Sequence, residues 1–216
     1  MPDYLSVGEV GRSPLQQQQG FCGQIGGFNL ESSNPQACTL TFWSSVRAYV
    51  KFMERERESA LARYQERKRE MIEVALFNSS ITFPDESQAV LECLEKSAIL
   101  RVTDCRIRAE KEDHFVSVEK DVWIPGMSWS EGMLAGIFSK AMNDEPRYLV
   151  TTFWKDLHAH NNYHQNVFPD LSETANSGED VCQMSRSLLK LEPSWFVRPA
   201  GDKFVKPISL YNPIIR

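Results

Sequence analysis

No stretch of this chain stays apolar over the roughly 18 residues that a membrane-crossing helix needs. The first residues, MPDYLSVGEVGRSPLQQQQ, lack both the basic start and the apolar middle of a secretory signal. Cysteine is sparse. Cys22, Cys38, Cys93, Cys105 and Cys182 are odd in number and form no C-x-x-C pair. That speaks against a disulfide framework or a zinc site and for reduced thiols in a cytoplasm. Positive charge is not in excess: a net charge of −5 gives no electrostatic reason to expect nucleic acid or a membrane surface as partner. H-E-x-x-H and G-x-G-x-x-G are both missing, which removes the zinc-hydrolase and dinucleotide-fold readings. What is present is ordinary for a globular chain, with 42% hydrophobic and 25% charged residues.

The sequence repeats itself. Tyr4 to Pro14 lines up with Phe115 to Pro125, so that Ser6, Val7 and Pro14 meet Ser117, Val118 and Pro125. One residue is gained, and Gly20-Phe21 then meets Gly132-Met133. The original offset returns at Pro35 and Pro146 and holds at Thr41-Phe42-Trp43 and Thr152-Phe153-Trp154. Such register marks a tandem duplication.

Each copy reads as β-α-β-β-α-β. The first helix is amphipathic, over 115–123 in the second copy, with Phe115, Val118, Val122 and Trp123 at helical spacing. Strands follow at Phe21–Phe28 and Ala37–Trp43, and at Met133–Ala141 and Tyr148–Trp154, on β-branched and aromatic content. The second helix spans about 45–69 in one copy and 156–173 in the other. Closing strands are read at Ile72–Phe77 and Cys182–Leu191. The run Glu54–Glu70 reads as a solvated helix face of i,i+4 charge pairs, or as a partner-binding surface.

The pattern divides the chain into a first ferredoxin-like repeat at 1–83, a connecting helix at 84–98, a second repeat at 99–197 and an extended arm at 198–216. Only the second copy has a first strand before its helix, at Ile99–Arg108. The first copy therefore lacks its first strand. Of two remedies, a chain that begins late or the tail Lys203–Leu210 filling the gap, the first is favoured, because Pro207 has no N–H for a central ladder. A half so built is three-stranded and the weaker of the two. Two four-stranded sheets, each covered by helices on one face, bury their other faces by closing on each other. The fold class is thus α+β: tandem ferredoxin-like repeats forming an intrachain α+β barrel.

Gly20-Phe-Cys-Gly-Gln-Ile-Gly-Gly-Phe28, Thr41-Phe-Trp-Ser44 and Tyr49-Val-Lys-Phe-Met53 resemble the YdbC-like domain of unknown function. That group is similar to the antibiotic-biosynthesis monooxygenase superfamily of dimeric α+β barrels, and the resemblance extends over nearly the whole chain, once per repeat. It implies that fold. The His-Asp pair that often follows Phe-Met in this group is replaced here by Glu54-Arg-Glu-Arg-Glu. The Asn, Trp and His pattern of the haem-degrading members is not matched in the second copy either. Gly23, Gly26 and Gly27 lie within a strand and point to a bulge or a close backbone approach.

All four histidines, His114, His158, His160 and His164, fall in the second copy. His160 and His164 share one helix face and are the candidate catalytic pair, since either imidazole can act as a general base. Trp154, Tyr163 and His158 are the candidate ligand-binding residues. The offset matches His160, Tyr163 and His164 to Tyr49, Phe52 and Met53, so the histidines are expected to point inward, His164 above all. Asp104 and Glu110 have no evident partner. No metal or cofactor is indicated. Three readings stay open: a barrel that binds a small molecule, a cofactor-independent oxygenase-type enzyme with its pocket in the second repeat, and an interaction protein using the charged helix 54–70. The expected state is a monomer with its repeats paired within the chain, or a weak homo-oligomer.

Overall fold

Alternation decides the strands. Tyr148, Val150, Thr152 and Trp154 point to one side of their strand and Leu149, Thr151 and Phe153 to the other, and both sets are buried. A strand apolar on both faces needs cover on both, and the architecture supplies a barrel interior on one side and helices on the other. The computed structural model describes residues 15–33, 36–55, 71–72, 75–83, 87–142, 145–200 and 208–215. In chain order the elements are β1 (Phe21–Asn29), β2 (Ala37–Trp43), α1 (Val46–Arg55), β3 (Met71–Ile72), β4 (Ala75–Phe83), α2 (Ser87–Lys96) and β5 (Ile99–Ile107). Then come α3 (Glu112–Val118), a π-helical turn (Glu119–Trp123), α4 (Ile124–Ser128), β6 (Met133–Ala141), β7 (Arg147–Trp154), α5 (Leu157–Asn166), α6 (Phe168–Ala175), β8 (Val181–Leu191) and β9 (Ile208–Ile215).

The sheet runs β2-β1-β8-β5-β7-β6-β4-β9, β9 pairs again with β2, and β3 is added beside β9. The strands thus close a ring. The second repeat contributes β8-β5-β7-β6, which is its fourth, first, third and second strand. The first repeat contributes β4-β9-β2-β1 in the same order of roles. All these pairings are antiparallel.

The place of the strand missing from the first copy is taken by the tail, the remedy that was not favoured, so the gap calls for no residues upstream. Residues 208–214 pair with β2 along its whole length, from Ile208 opposite Trp43 to Ile214 opposite Ala37. On the other side Ile208–Tyr211 pair with β4, and Ile214 and Ile215 with β3. Pro207 was no obstacle, since it precedes the strand in sequence. Pro213 falls where the ladder toward β4 and β3 is interrupted, the kind of position at which a residue without an N–H is tolerated. The first half is four-stranded, and its arm is a sheet strand.

Other boundaries shift. The closing strand of the first copy is β4, ending at Phe83 rather than Phe77. The helix read over 156–173 is two helices that part at Val167, just before Pro169. The helix of the first copy before Leu15 and the charged run beyond Arg55 lie outside the described residues.

The barrel interior gathers Leu40, Phe42, Phe77, Leu100, Val102, Ile137, Leu149, Phe153 and Leu189, and α2 adds Val90, Leu91 and Leu94. At about 1.5–3 kcal/mol for each fully buried large apolar side chain, this is the main stabilising element. A second layer lies between the outer sheet face and helices of the second repeat, with Tyr148, Val150, Trp154, Phe115 and Tyr163. Its counterpart in the first repeat holds Phe21 and Trp43 against Val46, Tyr49 and Phe52. Gly27 allows the β8 backbone to approach, since a Cβ there would sit 2.0 Å from the Lys190 carbonyl oxygen.

Candidate functional site

Between the outer face of the second repeat's sheet and its helices lies a cavity of about 220 Å³. Period-two alternation along β5 aims Arg101, Thr103 and Cys105 into it, while Leu100 and Val102 face the barrel interior. β7 contributes Val150, Thr152 and Trp154 in the same way. The roof comes from α3, the π turn and α5 with α6. Two polar ties fix the roof to the floor. Tyr148 Oη donates to Glu112 Oε1 at 2.6 Å, and Lys140 Nζ reaches the same oxygen at 2.7 Å. His114 Nδ1 lies 2.6 Å from Oδ2 of the buried Asp180, closing the loop that carries Ser177 and Gly178 at the rim.

Asp156 caps α5 by accepting from the Ala159 N–H at 2.8 Å. From that start His160, Tyr163 and His164 fall on the face turned toward the cavity. His160 is 4% exposed and meets Trp154 edge-on at 5.6 Å. Burial holds its pKa below the ordinary imidazole value, helped by the nearby Arg101 charge. Tyr163 is buried and leans on Trp154 at 5.0 Å, and burial raises its phenol. Trp154 is fully buried, and its Nε1 donates to Thr152 Oγ1 at 2.9 Å, so it serves the site as a wall.

His164 departs from expectation. It lines the cavity but is exposed, stacked on Phe168 at 5.2 Å. It stands at the mouth, and His160 is the inward histidine. Met53, its counterpart, is also exposed. His158 is exposed and does not line the cavity. Asp104 does have a partner: Arg147 donates to both its oxygens, from Nε at 2.9 Å and from the guanidinium end at 2.5 Å.

The sequence reading missed Glu119. It opens the π turn, is 6% exposed and lines the cavity. Its Oε2 is buried without a hydrogen-bond partner among the described residues. Loss of water around it pushes the carboxyl up to about 8, so it carries a proton at neutral pH. The same desolvation pushes the Cys105 thiol up to about 12, with the Glu119 charge adding to it. π turns inside α-helices are often found at functional sites. Glu119 stands four residues after Phe115 and four before Trp123, on the face of the helix that is otherwise apolar. Among the described residues no three His, Cys, Asp or Glu converge as a metal centre requires, and no helix is long and apolar enough to cross a membrane.

Residues 3–77 match the family described as a domain of unknown function, DUF4937. The match falls on the first repeat. Solved structures extend the likeness to both repeats. A candidate monooxygenase from Fusobacterium nucleatum subsp. nucleatum is 11% identical, with 88% of this chain and 87% of that chain covered at a TM-score of 0.61. An anthrone oxidase-like protein is 11% identical over 87% of this chain and 83% of its own, with a TM-score of 0.63. A candidate monooxygenase from Lactobacillus acidophilus is 9% identical over 85% and 81%, with a TM-score of 0.53. At these identities the likeness is one of fold, and it is the fold that Gly20–Phe28 and Thr41–Met53 had implied. No curated protein matches the chain.

Proposed function

We propose that this protein binds a small, flat, mainly apolar molecule in the second repeat, with the first repeat as its structural partner. The observation that carries the reading is the cavity itself. Its walls are aromatic, from Phe115, Trp123, Trp154, Tyr163 and Phe168, with Arg101, Glu119 and His160 set among them. Concave apolar sites with a small number of placed polar groups are the usual form of ligand pockets. That structural neighbours are named as candidate monooxygenases and as anthrone oxidase-like agrees with a small-molecule site.

The test is a thermal-shift screen with two-ring and three-ring aromatic compounds, because a ligand that binds only the folded state raises its stability. Binders are expected to quench tryptophan fluorescence and to bind less tightly to Tyr163→Trp, whose larger ring narrows the cavity. A panel in which nothing shifts the melting temperature, or in which Tyr163→Trp binds as well as wild type, removes this reading.

A second reading is an oxygenase-type enzyme in the same cavity. It is favoured by Glu119 and His160, whose environments move their protonation in opposite directions, one held protonated and the other neutral. Oxygen consumption with any binder found, abolished in Glu119→Gln, distinguishes it from simple binding.

A further inference from the structure

Glu119 supplies the only carboxyl among the cavity's described lining residues. The cations of that lining do not neutralise it. Arg101 lies 3.8 Å from Glu31, and the exposed Arg186 donates to the Met184 sulfur. A buried carboxyl oxygen without a donor is costly, and the cost is removed when a ligand brings the donor. Phe115 and Trp123, four residues before and after it, line the same cavity, and so does Tyr163. Aromatic walls take a flat ring, and a carboxyl with two oxygens takes two parallel N–H donors.

We propose that Glu119 anchors the ligand, and that the ligand is a flat nitrogen heterocycle presenting an amidine-type edge, a ring nitrogen beside an exocyclic amino group. The inference rests on the cavity being a ligand site. On binding, the amino N–H donates to one carboxyl oxygen. The proton on the other oxygen passes to the ring nitrogen, which then donates it back as N–H···O. The net result is one proton moved, two hydrogen bonds formed and a carboxylate paired with a cationic ring. No bond to carbon changes. A ligand with a carbonyl alone brings no donor to Oε2, and a hydroxyl brings one where the amidine-type edge brings two; sites built for a polar edge reject ligands that lack it.

The experiment titrates the full chain with 2-aminoquinoline, with 2-methylnaphthalene, which has the same two-ring outline and no nitrogen, and with 2-naphthol. Wild type is expected to bind 2-aminoquinoline at least tenfold more tightly than either of the others. Glu119→Leu is expected to lose that preference while holding 2-methylnaphthalene within twofold. Equal wild-type affinity for 2-aminoquinoline and 2-methylnaphthalene overturns the anchor while leaving the cavity reading standing. So does undiminished 2-aminoquinoline binding in Glu119→Leu. A first rank for 2-naphthol assigns a hydroxylated ligand instead. Failure of all three compounds to bind overturns both readings. The wild-type ranking is decisive by itself if Glu119→Leu does not fold.

Discussion

The two repeats keep the same skeleton and differ in what they place upon it. Gly20 and Gly132 both sit at positive φ, +84° and +79°, and a Cβ on either would lie 2.5 Å from the Cβ of Ala48 or Ala159. Each glycine carbonyl accepts from the residue after the strand tryptophan, Ser44 at 2.7 Å and Lys155 at 2.8 Å. The same bulge follows, between Phe21 and Gly23 and between Met133 and Ala135. Trp43 meets Tyr49 at 6.0 Å and Phe52 at 5.1 Å, and Trp154 meets His160 at 5.6 Å and Tyr163 at 5.0 Å. Geometry survived duplication where backbone and packing required it. Chemistry changed on one helix face, where Tyr49 has His160 as its counterpart.

The sharpest break in the comparison is the origin of the first strand. Deleting 208–215 leaves β2 and β4 with facing open edges. Each buried backbone group so orphaned costs about 1–3 kcal/mol, against a net domain stability of about 5–15 kcal/mol. The first repeat is expected to open, read as lost hydrogen-exchange protection in β2 and β4 with β5 and β7 still protected. Retained protection in β2 refutes this.

Glu119 gives the next largest effect. Its folded pKa of about 8 stands above the ordinary 4.5. Between those values the folded state holds a proton that the unfolded state has released. Stability therefore falls as pH rises through that window, by about 1.4 kcal/mol per pH unit at most, and is level above it. Glu119→Leu is expected to remove this slope, with the variant gaining on wild type from pH 5 to pH 8 in urea titrations. Parallel curves would show the carboxyl to be solvated.

Gly20→Ala and Gly132→Ala are each expected to cost about 1–3 kcal/mol through strained backbone and the close alanine, and to cost the same within error. A large inequality in thermal midpoints would separate the repeats. The smallest effect is His160→Tyr, which restores the first repeat's residue. Burial keeps His160 neutral in the folded state, so wild type loses stability as pH falls below about 6.5, where the unfolded imidazole takes up a proton. The variant is expected to lack that acid-side loss and to lie within about 1 kcal/mol of wild type at pH 7.

Local pattern carried most of the fold. Ala37–Trp43 and Met133–Ala141 were legible to the residue, because alternation and β-branched content are properties of the segment itself. Closure of the barrel by β9 was not legible, because strand pairing over such a sequence separation leaves no local trace and Pro207 pointed the wrong way. In the cavity, helical spacing puts His160 and Tyr163 on one face, and both rings lie against Trp154. It misjudged His164, because the break at Val167 brings Phe168 against that ring and opens the mouth there. Glu119 was hidden by its charge, since a single acid on an apolar face reads as solvated until a turn of π helix is seen to bury it.

A chain emerging from the ribosome presents β1, β2 and β4 first, yet the strand that joins β2 to β4 is synthesised only after the whole of the second repeat. The later-made half is thus ready to assemble while the earlier-made half still waits for its central strand. During that interval the nascent chain exposes two sheet edges of the sort that chaperones shield or that neighbouring chains on a polysome can capture. The order of synthesis and the order of assembly run opposite ways, and slowing translation over 198–207 should lengthen the vulnerable interval without altering the finished molecule.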